Sequence, residues 1–155
     1  MESHIYTVNI AWSKDRRGMM CSPELTQNDA LTGGCIEVAT PPEFPKGIPG
    51  IWSPEHLFTA SVSSCFMTTF LAIAENSKLD FISFRCNSQG KLEKADGKFM
   101  MTEVRLYPEV IIADEKDTEK ANKVLQKSEA SCLISNSIKT KVIMQATVVA
   151  EPVKI

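Results

Sequence analysis

The sequence predicts an α+β fold in which antiparallel sheets wrap around one long central helix. Segments with strand-like alternation of polar and apolar residues lie on both sides of a single long apolar segment of helical composition. Strands and helices that are segregated in this way favour an α+β fold over a doubly wound parallel sheet. Because 155 residues suffice for one domain with its own core, we expect a single domain over residues 1–155.

The first third of the chain is predicted to form short strands. Residues 5–13 alternate between an apolar and a more polar face, as a half-buried strand does. A polar turn, a second strand, a further turn and a third strand are expected next, at residues 14–18, 19–22, 28–34 and 35–39. Residues 41–50 contain four prolines and two glycines, which excludes a helix or a central strand.

The longest apolar segment is predicted to be a helix from Pro54 to about Lys78. Ser53 is a suitable N-cap residue, and proline is favoured at the first helical position. Residues 57–74 are apolar, but they include six serine and threonine side chains. Because the segment is short and rich in hydroxyl groups, we interpret it as a buried central helix and expect no membrane span.

The second half of the chain begins with a predicted β-hairpin. Asp96-Gly97 lies between two β-rich segments, and this dipeptide is a strong signal for a tight hairpin turn. A segment of amphipathic helical composition follows, and then an alternating final segment. The predicted bounds are 81–92 and 98–112 for the hairpin strands, 114–131 for the helix, up to 138 for a second short helix, and 141–151 for the last strand.

Charge and cysteine content exclude several classes of function. The net charge is −2 and the basic residues are scattered, whereas nucleic-acid binding requires clustered positive charge. The first residues show no basic region followed by an apolar core, so no signal peptide is expected. Five cysteines without a CxxC pair do not suit a secreted disulfide framework. We therefore expect a cytoplasmic protein that binds neither nucleic acid nor a membrane.

Two cysteines, Cys65 and Cys132, are the leading candidates for chemistry. Cys65 lies inside the apolar helix, where burial disfavours a thiolate, so packing in the core is the simpler interpretation of this residue alone. Cys132 follows the amphipathic helix, 67 positions later. If the two sulfurs meet, the chain is a two-thiol redox enzyme. If they do not, it is an ordinary domain with buried cysteines.

A reactive thiol at Cys65 would need a fixed positive charge beside it. Arg16 and Arg17 lie in the first predicted turn and point to opposite sides if extended, so at most one of them faces a given thiol. Glu55 is a candidate counter-charge, although the helix dipole alone also explains a glutamate in a first helical turn. Ten helical residues, or about 15 Å of rise, separate Glu55 from Cys65. The two therefore share a site only if Glu55 comes from a second subunit.

The other motifs indicate neither a metal nor a cofactor. His4 and His56 are the only histidines, and neither has a familiar spacing to a cysteine nucleophile. A zinc site made of Cys21, Cys35 and a histidine is conceivable, but the spacing is unlike known zinc motifs. The glycines form no phosphate-binding loop. We therefore expect no metal site and no cofactor-binding site.

Three short motifs contain most of the candidate site residues. Residues 53–58 read Ser-Pro-Glu-His-Leu-Phe, residues 64–66 read Ser-Cys-Phe, and residues 131–135 read Ser-Cys-Leu-Ile-Ser. Together they resemble the OsmC/Ohr family of osmotically inducible and organic hydroperoxide resistance proteins. They are similar to the family's Asn-Pro-Glu-x-Leu helix start, to its peroxidatic cysteine ten residues after the glutamate, and to its Cys-Pro-x-Ser resolving motif. Ser53 in place of asparagine suits an N-cap, whereas Leu133 replaces the family's proline.

The resemblance implies a thiol-dependent peroxidase that reduces organic hydroperoxides, built as an intertwined homodimer with an OsmC-like fold. It implies that Cys65 is the peroxidatic thiol, that Cys132 resolves its sulfenic acid as a disulfide, and that Glu55 orients the active-site arginine. The family's arginine after the first strand falls at Arg16, with Arg17 as the alternative. In the family the external reductant is a dithiol, such as a lipoylated protein.

A function of a different class fits the same scaffold. A non-catalytic OsmC-like protein would hold a small hydrophobic ligand at the dimer interface, with the cysteines as packing or redox-responsive residues. The co-occurrence of two cysteines, a glutamate and an arginine at the motif positions favours the enzyme. The replacement of the family's proline by Leu133 is the main argument for the binding protein.

Overall fold

The computed structural model describes residues 2–25 and 34–152 of the chain. The chain divides into two compact units, residues 1–57 and 58–155. The first unit contains a small sheet, whereas the second contains helices and a larger sheet, so the predicted α+β class is confirmed. The turn predicted at residues 28–34 lies, apart from Gly34, outside the described residues.

The first unit is built on a three-stranded antiparallel sheet, called the first sheet, with the order β1-β2-β3. Its strands are β1 (Asn9–Lys14), β2 (Arg17–Cys21) and β3 (Cys35–Ala39). A two-residue turn, Asp15-Arg16, joins β1 to β2, and Asp15 has a φ of 48°. Positive φ is typical of tight hairpin turns. Because the turn is shorter than the predicted segment 14–18, Arg17 lies in a strand.

The first strand is shorter than predicted, and a disulfide lies near its start. β1 begins at Asn9 rather than at residue 5, because its pairing with β2 begins at Asn9 and Cys21. At the same end of the sheet, Cys21 lies opposite Cys35, and the two are joined by a disulfide. Nothing in the sequence predicts this disulfide, since a separation of 14 residues matches no familiar cysteine motif.

The segment at residues 41–50 forms the predicted irregular loop before the long helix. Gly47 is required in this loop, because a Cβ at that position would lie 1.9 Å from the carbonyl oxygen of Pro41. Ser53 then caps the helix. Its side chain is fully buried, and its Oγ accepts a hydrogen bond from the His56 N–H at 3.2 Å. The serine therefore has the capping role that the sequence predicts.

The second unit contains most of the long helix, a four-stranded sheet called the second sheet, and a second helix. The elements that follow in chain order are α1 (Pro54–Asn76), β4 (Ser83–Ala95), β5 (Lys98–Ile112), α2 (Thr118–Ser131), β6 (Lys141–Met144) and β7 (Thr147–Ala150). β4 and β5 form the predicted antiparallel hairpin. Its turn has Asp96 and Gly97 at φ values of 51° and 76°, as expected for an Asp-Gly turn.

The single last strand predicted at residues 141–151 is wrong. The structure has two short strands there, β6 and β7, and both pair with β5 in parallel. The second sheet is therefore mixed rather than antiparallel. Parallel pairing needs a crossover connection, and α2 supplies it between β5 and β6. The short helix predicted up to residue 138 is a 3₁₀ turn at Ser135–Ser137.

The core of the second unit lies between α1 and the second sheet. Residues of α1 spaced four apart are buried: Val62, Phe66, Phe70 and Ala74. Phe70 stacks on Phe84 of β4, with ring centroids 4.6 Å apart. Met67 and Leu71 lie on the open side of the helix and are 40% and 42% exposed. α1 thus buries one face against the second sheet.

Among the described residues, α1 is also the one helix that is long and apolar enough to cross a membrane, with a mean hydropathy of 1.7. A core helix of a soluble protein meets the same criteria of length and composition. The regular spacing of the buried α1 residues matches packing against the second sheet.

Candidate functional site

Cys65 is a free, half-buried thiol in the middle of α1. Its Sγ lies 4.0 Å from the Oγ1 of Thr69, one helical turn later. The hydroxyl of Thr68 donates to the Cys65 carbonyl at 3.0 Å. Phe66, the next residue, is fully buried. Cys65 therefore lies at the border of the core, on a rigid helix that fixes the direction of its side chain.

Cys132 follows the last residue of α2. Its backbone is extended, with φ −65° and ψ 111°, and its side chain is fully buried. The chain then turns through Ser135–Ser137, and the Asn136 N–H donates to the Cys132 carbonyl at 3.0 Å. The end of the helix and the turn after it hold Cys132 in place from both sides.

Both thiols belong to the second unit, and both are free rather than joined in a disulfide. Although they are 67 positions apart in the sequence, the Cys65 side chain lies close enough to Cys132 to lower the pKa of the Cys132 thiol.

The surroundings of Cys132 favour its thiolate. Burial alone raises the pKa of this thiol, but hydrogen bonds from the Ser135 side chain and N–H, from Cys65 and from the Ile134 N–H outweigh it. The net result is a Cys132 pKa below the ordinary thiol value. The N–H groups reach the sulfur because the chain turns directly after Cys132.

Replacing Ser135 by alanine is expected to raise the pKa of the Cys132 thiol, because it removes a hydroxyl that stabilises the thiolate. The measurement is an ultraviolet titration of the thiolate in a variant that keeps only Cys65 and Cys132. Ser137→Ala is the matched control, since the Ser137 hydroxyl donates to the Leu133 carbonyl at 2.7 Å. An unchanged titration in Ser135→Ala would contradict this account of the site.

The lowered pKa of Cys132 also makes the free energy of unfolding depend on pH. The folded protein holds the Cys132 pKa below the value of about 8.5 for an unfolded thiol. The thiolate therefore contributes stability that is fully present above the unfolded value and is lost as pH falls through the folded pKa. The free energy of unfolding should rise with pH across that window, and it should rise less in Ser135→Ala.

Leu133 is the residue at which the chain departs from the resolving motif. Its side chain is 65% exposed. The backbone hydrogen bonds to the Cys132 sulfur come from residues 134 and 135. They do not come from the N–H group of residue 133, which a proline at that position would lack. The hydrogen bonds that lower the Cys132 pKa therefore do not depend on the side chain at residue 133.

The two candidate arginines have different environments in the first sheet. Arg16 is exposed in the turn between β1 and β2. Arg17 lies in β2 with 27% of its side chain exposed, and its Nη1 donates to the Glu37 carboxylate at 3.1 Å. The Arg17 Nε is buried and has no hydrogen-bond partner in the part of the chain that the structure describes. Arg17 is thus held by its neighbours, whereas Arg16 is solvated.

Glu55 is half-buried in the first turn of α1, at the helix end where the dipole favours a carboxylate. The neighbouring Ser53 Oγ and His56 Nδ1 lie 2.7 Å apart, so His56 belongs to the helix cap. Within residues 2–25 and 34–152, no group of three or more His, Cys, Asp or Glu side chains is placed to hold a metal ion.

Sequence patterns did not point to the roles of two residues described above. Glu37 lies on β3, and the sheet register brings it beside Arg17, which no local pattern shows. Ser135 is part of the motif at 131–135, where its spacing of three residues from Cys132 was the available signal for a hydrogen bond to the thiol.

The fold is α+β, and the two candidate thiols both lie in the second unit. Comparison with known proteins gives the family. The family model described as OsmC-like protein matches residues 47–146. Because this match covers more than half of the chain, the chain belongs to the OsmC-like family, and the resemblance seen in the sequence is confirmed. A curated relative, the uncharacterized protein YmaD of Bacillus subtilis (strain 168), is 26% identical over 125 residues, or 77% of this chain and 83% of YmaD.

Solved structures share the fold at low sequence identity. An OsmC-like protein of unknown function from Vibrio cholerae superposes with a TM-score of 0.80 at 23% identity, covering 93% of this chain and 99% of that one. An organic hydroperoxide resistance protein OsmC from Legionella pneumophila superposes with a TM-score of 0.71 at 19% identity, covering 96% and 99%. At these identities the similarity shows the fold alone.

Proposed function

We propose that the chain is a thiol-dependent peroxidase that reduces organic hydroperoxides in defence against oxidative stress. The observation that carries this proposal is a pair of free thiols in the second unit, Cys65 and Cys132, of which Cys65 helps to lower the pKa of Cys132. Membership of the OsmC-like family supports it, and the similar Legionella pneumophila protein is described as an organic hydroperoxide resistance protein.

The first step oxidises Cys65. Its thiolate attacks the distal oxygen of the hydroperoxide, an S–O bond forms, and the O–O bond breaks. The alkoxide leaves with a proton as an alcohol, and Cys65 becomes a sulfenic acid. The half-buried position of Cys65 gives a substrate access to the sulfur while the core behind it limits water.

The second step uses Cys132. Its thiolate attacks the sulfenic sulfur of Cys65, an S–S bond forms, and the sulfenic oxygen leaves as water. The lowered Cys132 pKa increases the fraction of thiolate available for this attack. Cys65 is close enough to influence the Cys132 thiol, so the resolving attack takes place within the second unit.

An external dithiol of the lipoyl type then reduces the Cys65–Cys132 disulfide. One thiolate of the reductant forms a mixed disulfide, and its second thiol closes a ring and releases both cysteines as thiols. Overall, one hydroperoxide and one dithiol give one alcohol, one water and one cyclic disulfide. This cycle needs no metal and no bound cofactor, and it suits the reducing cytoplasm.

A guanidinium and Glu55 complete the proposed site, as the resemblance implies. The arginine favours the Cys65 thiolate and binds the peroxide oxygens, and the carboxylate orients the arginine. The half-buried, ion-paired setting of Arg17 suits this role better than the exposed turn position of Arg16, because a fixed charge costs less reorganisation.

Single alanine variants show which of the two arginines has the proposed catalytic role. Arg17→Ala is expected to lower kcat/KM for an alkyl hydroperoxide by roughly 10²-fold, the usual cost of losing one fixed electrostatic donor. Arg16→Ala is the matched control and should stay within about twofold, since exposed surface changes have small effects. The reverse order would assign the role to Arg16, and wild-type kinetics in both variants would contradict a catalytic arginine.

The proposed enzyme is a homodimer that covers the open face of α1. Met67 and Leu71 present apolar surface there, and a second copy would bury it. Leu71→Glu is expected to give a monomer in size-exclusion chromatography with light scattering. Lys127→Glu, on the exposed side of α2, is the control for an added carboxylate. A monomeric wild-type protein at micromolar concentration would contradict the dimer.

Consumption of an alkyl hydroperoxide with dihydrolipoamide as reductant tests the proposed function. Turnover should require the dithiol and should be faster with cumene hydroperoxide than with hydrogen peroxide. The alternative, a protein that binds a small hydrophobic ligand, predicts no turnover. A cavity of about 360 Å³ beside α2 has a mixed lining, in which Ala130 and Val142 lie among polar side chains.

A further inference from the structure

A cavity in the second unit takes no part in the proposed peroxidase cycle. Its volume is about 360 Å³, and residues near the end of α2, in the turn at Ser135–Ser137 and at the start of β6 line it. We propose that this cavity binds a small organic ammonium ion, which combines several N–H donors with a short aliphatic chain. The proposal does not depend on the peroxidase activity.

Hydrogen bonds within the protein hold the lining of the cavity in place. The Asn136 Nδ2 donates to the Ala130 carbonyl at 3.2 Å, which fixes the turn against the end of α2. The Thr140 Oγ1 donates to the Met101 carbonyl at 2.7 Å, which ties the segment before β6 to β5. The cavity is therefore formed before any ligand binds, as small-molecule sites usually are.

The polar groups of the lining offer a ligand mainly oxygen atoms that accept hydrogen bonds. The hydroxyl hydrogen of Thr140 and one amide hydrogen of Asn136 are used in the bonds described above. The Ser135 hydroxyl forms a hydrogen bond with the Cys132 thiol. The oxygen atoms of these three side chains keep lone pairs that can accept. The lining thus suits a ligand that donates hydrogen bonds.

Glu129 gives the cavity a negative charge. Its side chain is half-buried, and among the described residues it forms neither an ion pair nor a side-chain hydrogen bond. Gln126 lies one turn earlier on the same face of α2 and adds an amide oxygen. In the part of the chain that the structure describes, no lysine, arginine or histidine lines the cavity. Lys141 precedes Val142 on β6 and lies on the other face of that strand. A cation is therefore favoured over an anion.

The apolar part of the lining and the volume limit the kind of cation. Ala130 and Val142 present methyl groups, which pack against the methylene groups of an alkyl chain. The volume of about 360 Å³ lies near the lower end of the range for small-molecule sites. Within the described residues, no group of three or more His, Cys, Asp or Glu side chains is placed to hold a metal ion. An alkylammonium ion matches both the carboxylate and the methyl groups.

The test follows the backbone amide signals of the isotope-labelled full chain by NMR while n-butylammonium chloride is added at constant ionic strength. We expect the signals of Ala130, Ser135 and Val142 to shift together and to saturate in the millimolar range. Butanol has the chain without the charge, and tetraethylammonium has the charge without N–H donors. Both should bind at least roughly 10-fold more weakly, because they lack charge-assisted hydrogen bonds to Glu129. Equal shifts with all three compounds, or shifts that do not saturate, would overturn the proposal.

A charge-removing variant tests the role of the carboxylate. Glu129→Gln keeps the size of the side chain and should weaken n-butylammonium binding roughly 10-fold or more, the cost of one hydrogen bond to a charged group. Glu119→Gln is the matched control, since Glu119 lies on the same helix but pairs with Lys123 at 2.9 Å outside the cavity lining. Wild-type affinity in Glu129→Gln would overturn the proposal. Both titrations measure binding directly, so loss of peroxide turnover does not affect them.

Discussion

Replacing Cys65 by serine is expected to lower organic hydroperoxide turnover by at least about 10³-fold, the scale on which enzymes lose activity without their nucleophile. A serine hydroxyl is a poor nucleophile at neutral pH and cannot form a sulfenic acid. The measurement is the loss of cumene hydroperoxide under steady-state conditions with dihydrolipoamide in excess. Serine is close to cysteine in size, so the α1 core around this position should remain packed.

Cys86→Ser is the matched control for Cys65→Ser. Cys86 is also a free, half-buried thiol in the second unit. Burial raises its pKa, and hydrogen bonds with Ser88 and Tyr107 only partly oppose that effect. Its thiol is therefore a weak nucleophile, and its replacement should leave turnover unchanged. Equal turnover in the wild type and in Cys65→Ser would exclude Cys65 as the peroxidatic residue.

The second large effect concerns stability. Phe70→Ala is expected to lower the free energy of unfolding by about 3–5 kcal/mol, the usual cost of removing a large aromatic side chain from a core. Phe70 is fully buried, stacks on Phe84 with centroids 4.6 Å apart, and meets Phe81 edge-to-face at 5.3 Å. Urea unfolding followed by circular dichroism measures the change.

Glu75→Ala is the control for Phe70→Ala. Glu75 lies on the same helix but is exposed, and surface substitutions of this kind usually change stability by less than about 0.5 kcal/mol. A loss of less than about 1 kcal/mol in Phe70→Ala would contradict a core centred on α1, because such a small change is typical of a site that is not well packed.

Local signals in the sequence predicted many of the element types. Ser53 and Pro54 marked the start of α1, and the structure begins the helix at Pro54. Asp96 and Gly97 marked the hairpin, and both have the positive φ that a tight turn requires. These signals work because capping and turn geometry depend on a few adjacent residues, which any sequence displays.

Features that depend on distant partners were not predictable in the same way. An alternating pattern at residues 141–151 indicates a strand, but it does not show that β6 and β7 pair in parallel with β5. Likewise, the disulfide between Cys21 and Cys35 depends on the register of β2 and β3. Register is set by how whole strands pair and pack, which a local pattern does not specify.

The candidate site shows the same difference between features that a local pattern predicts and features that depend on distant partners. The pairing of Cys65 with Cys132 came from the resemblance to a family and remains a prediction, although Cys65 is close enough to help lower the pKa of the Cys132 thiol. The preference for Arg16 over Arg17 came from the same resemblance, and it remains a prediction. The structure shortens that turn to two residues, which puts Arg17 in a strand beside Glu37.

The most direct test of the two-thiol account is the mass of the protein after one equivalent of alkyl hydroperoxide. The reduced Cys21→Ser/Cys35→Ser variant removes the other cysteine pair, so any new disulfide must come from the remaining thiols. The account predicts the loss of two hydrogens and a single cross-linked peptide pair that joins Cys65 to Cys132. A protein of unchanged mass, with both cysteines still free after the peroxide is added, would contradict it.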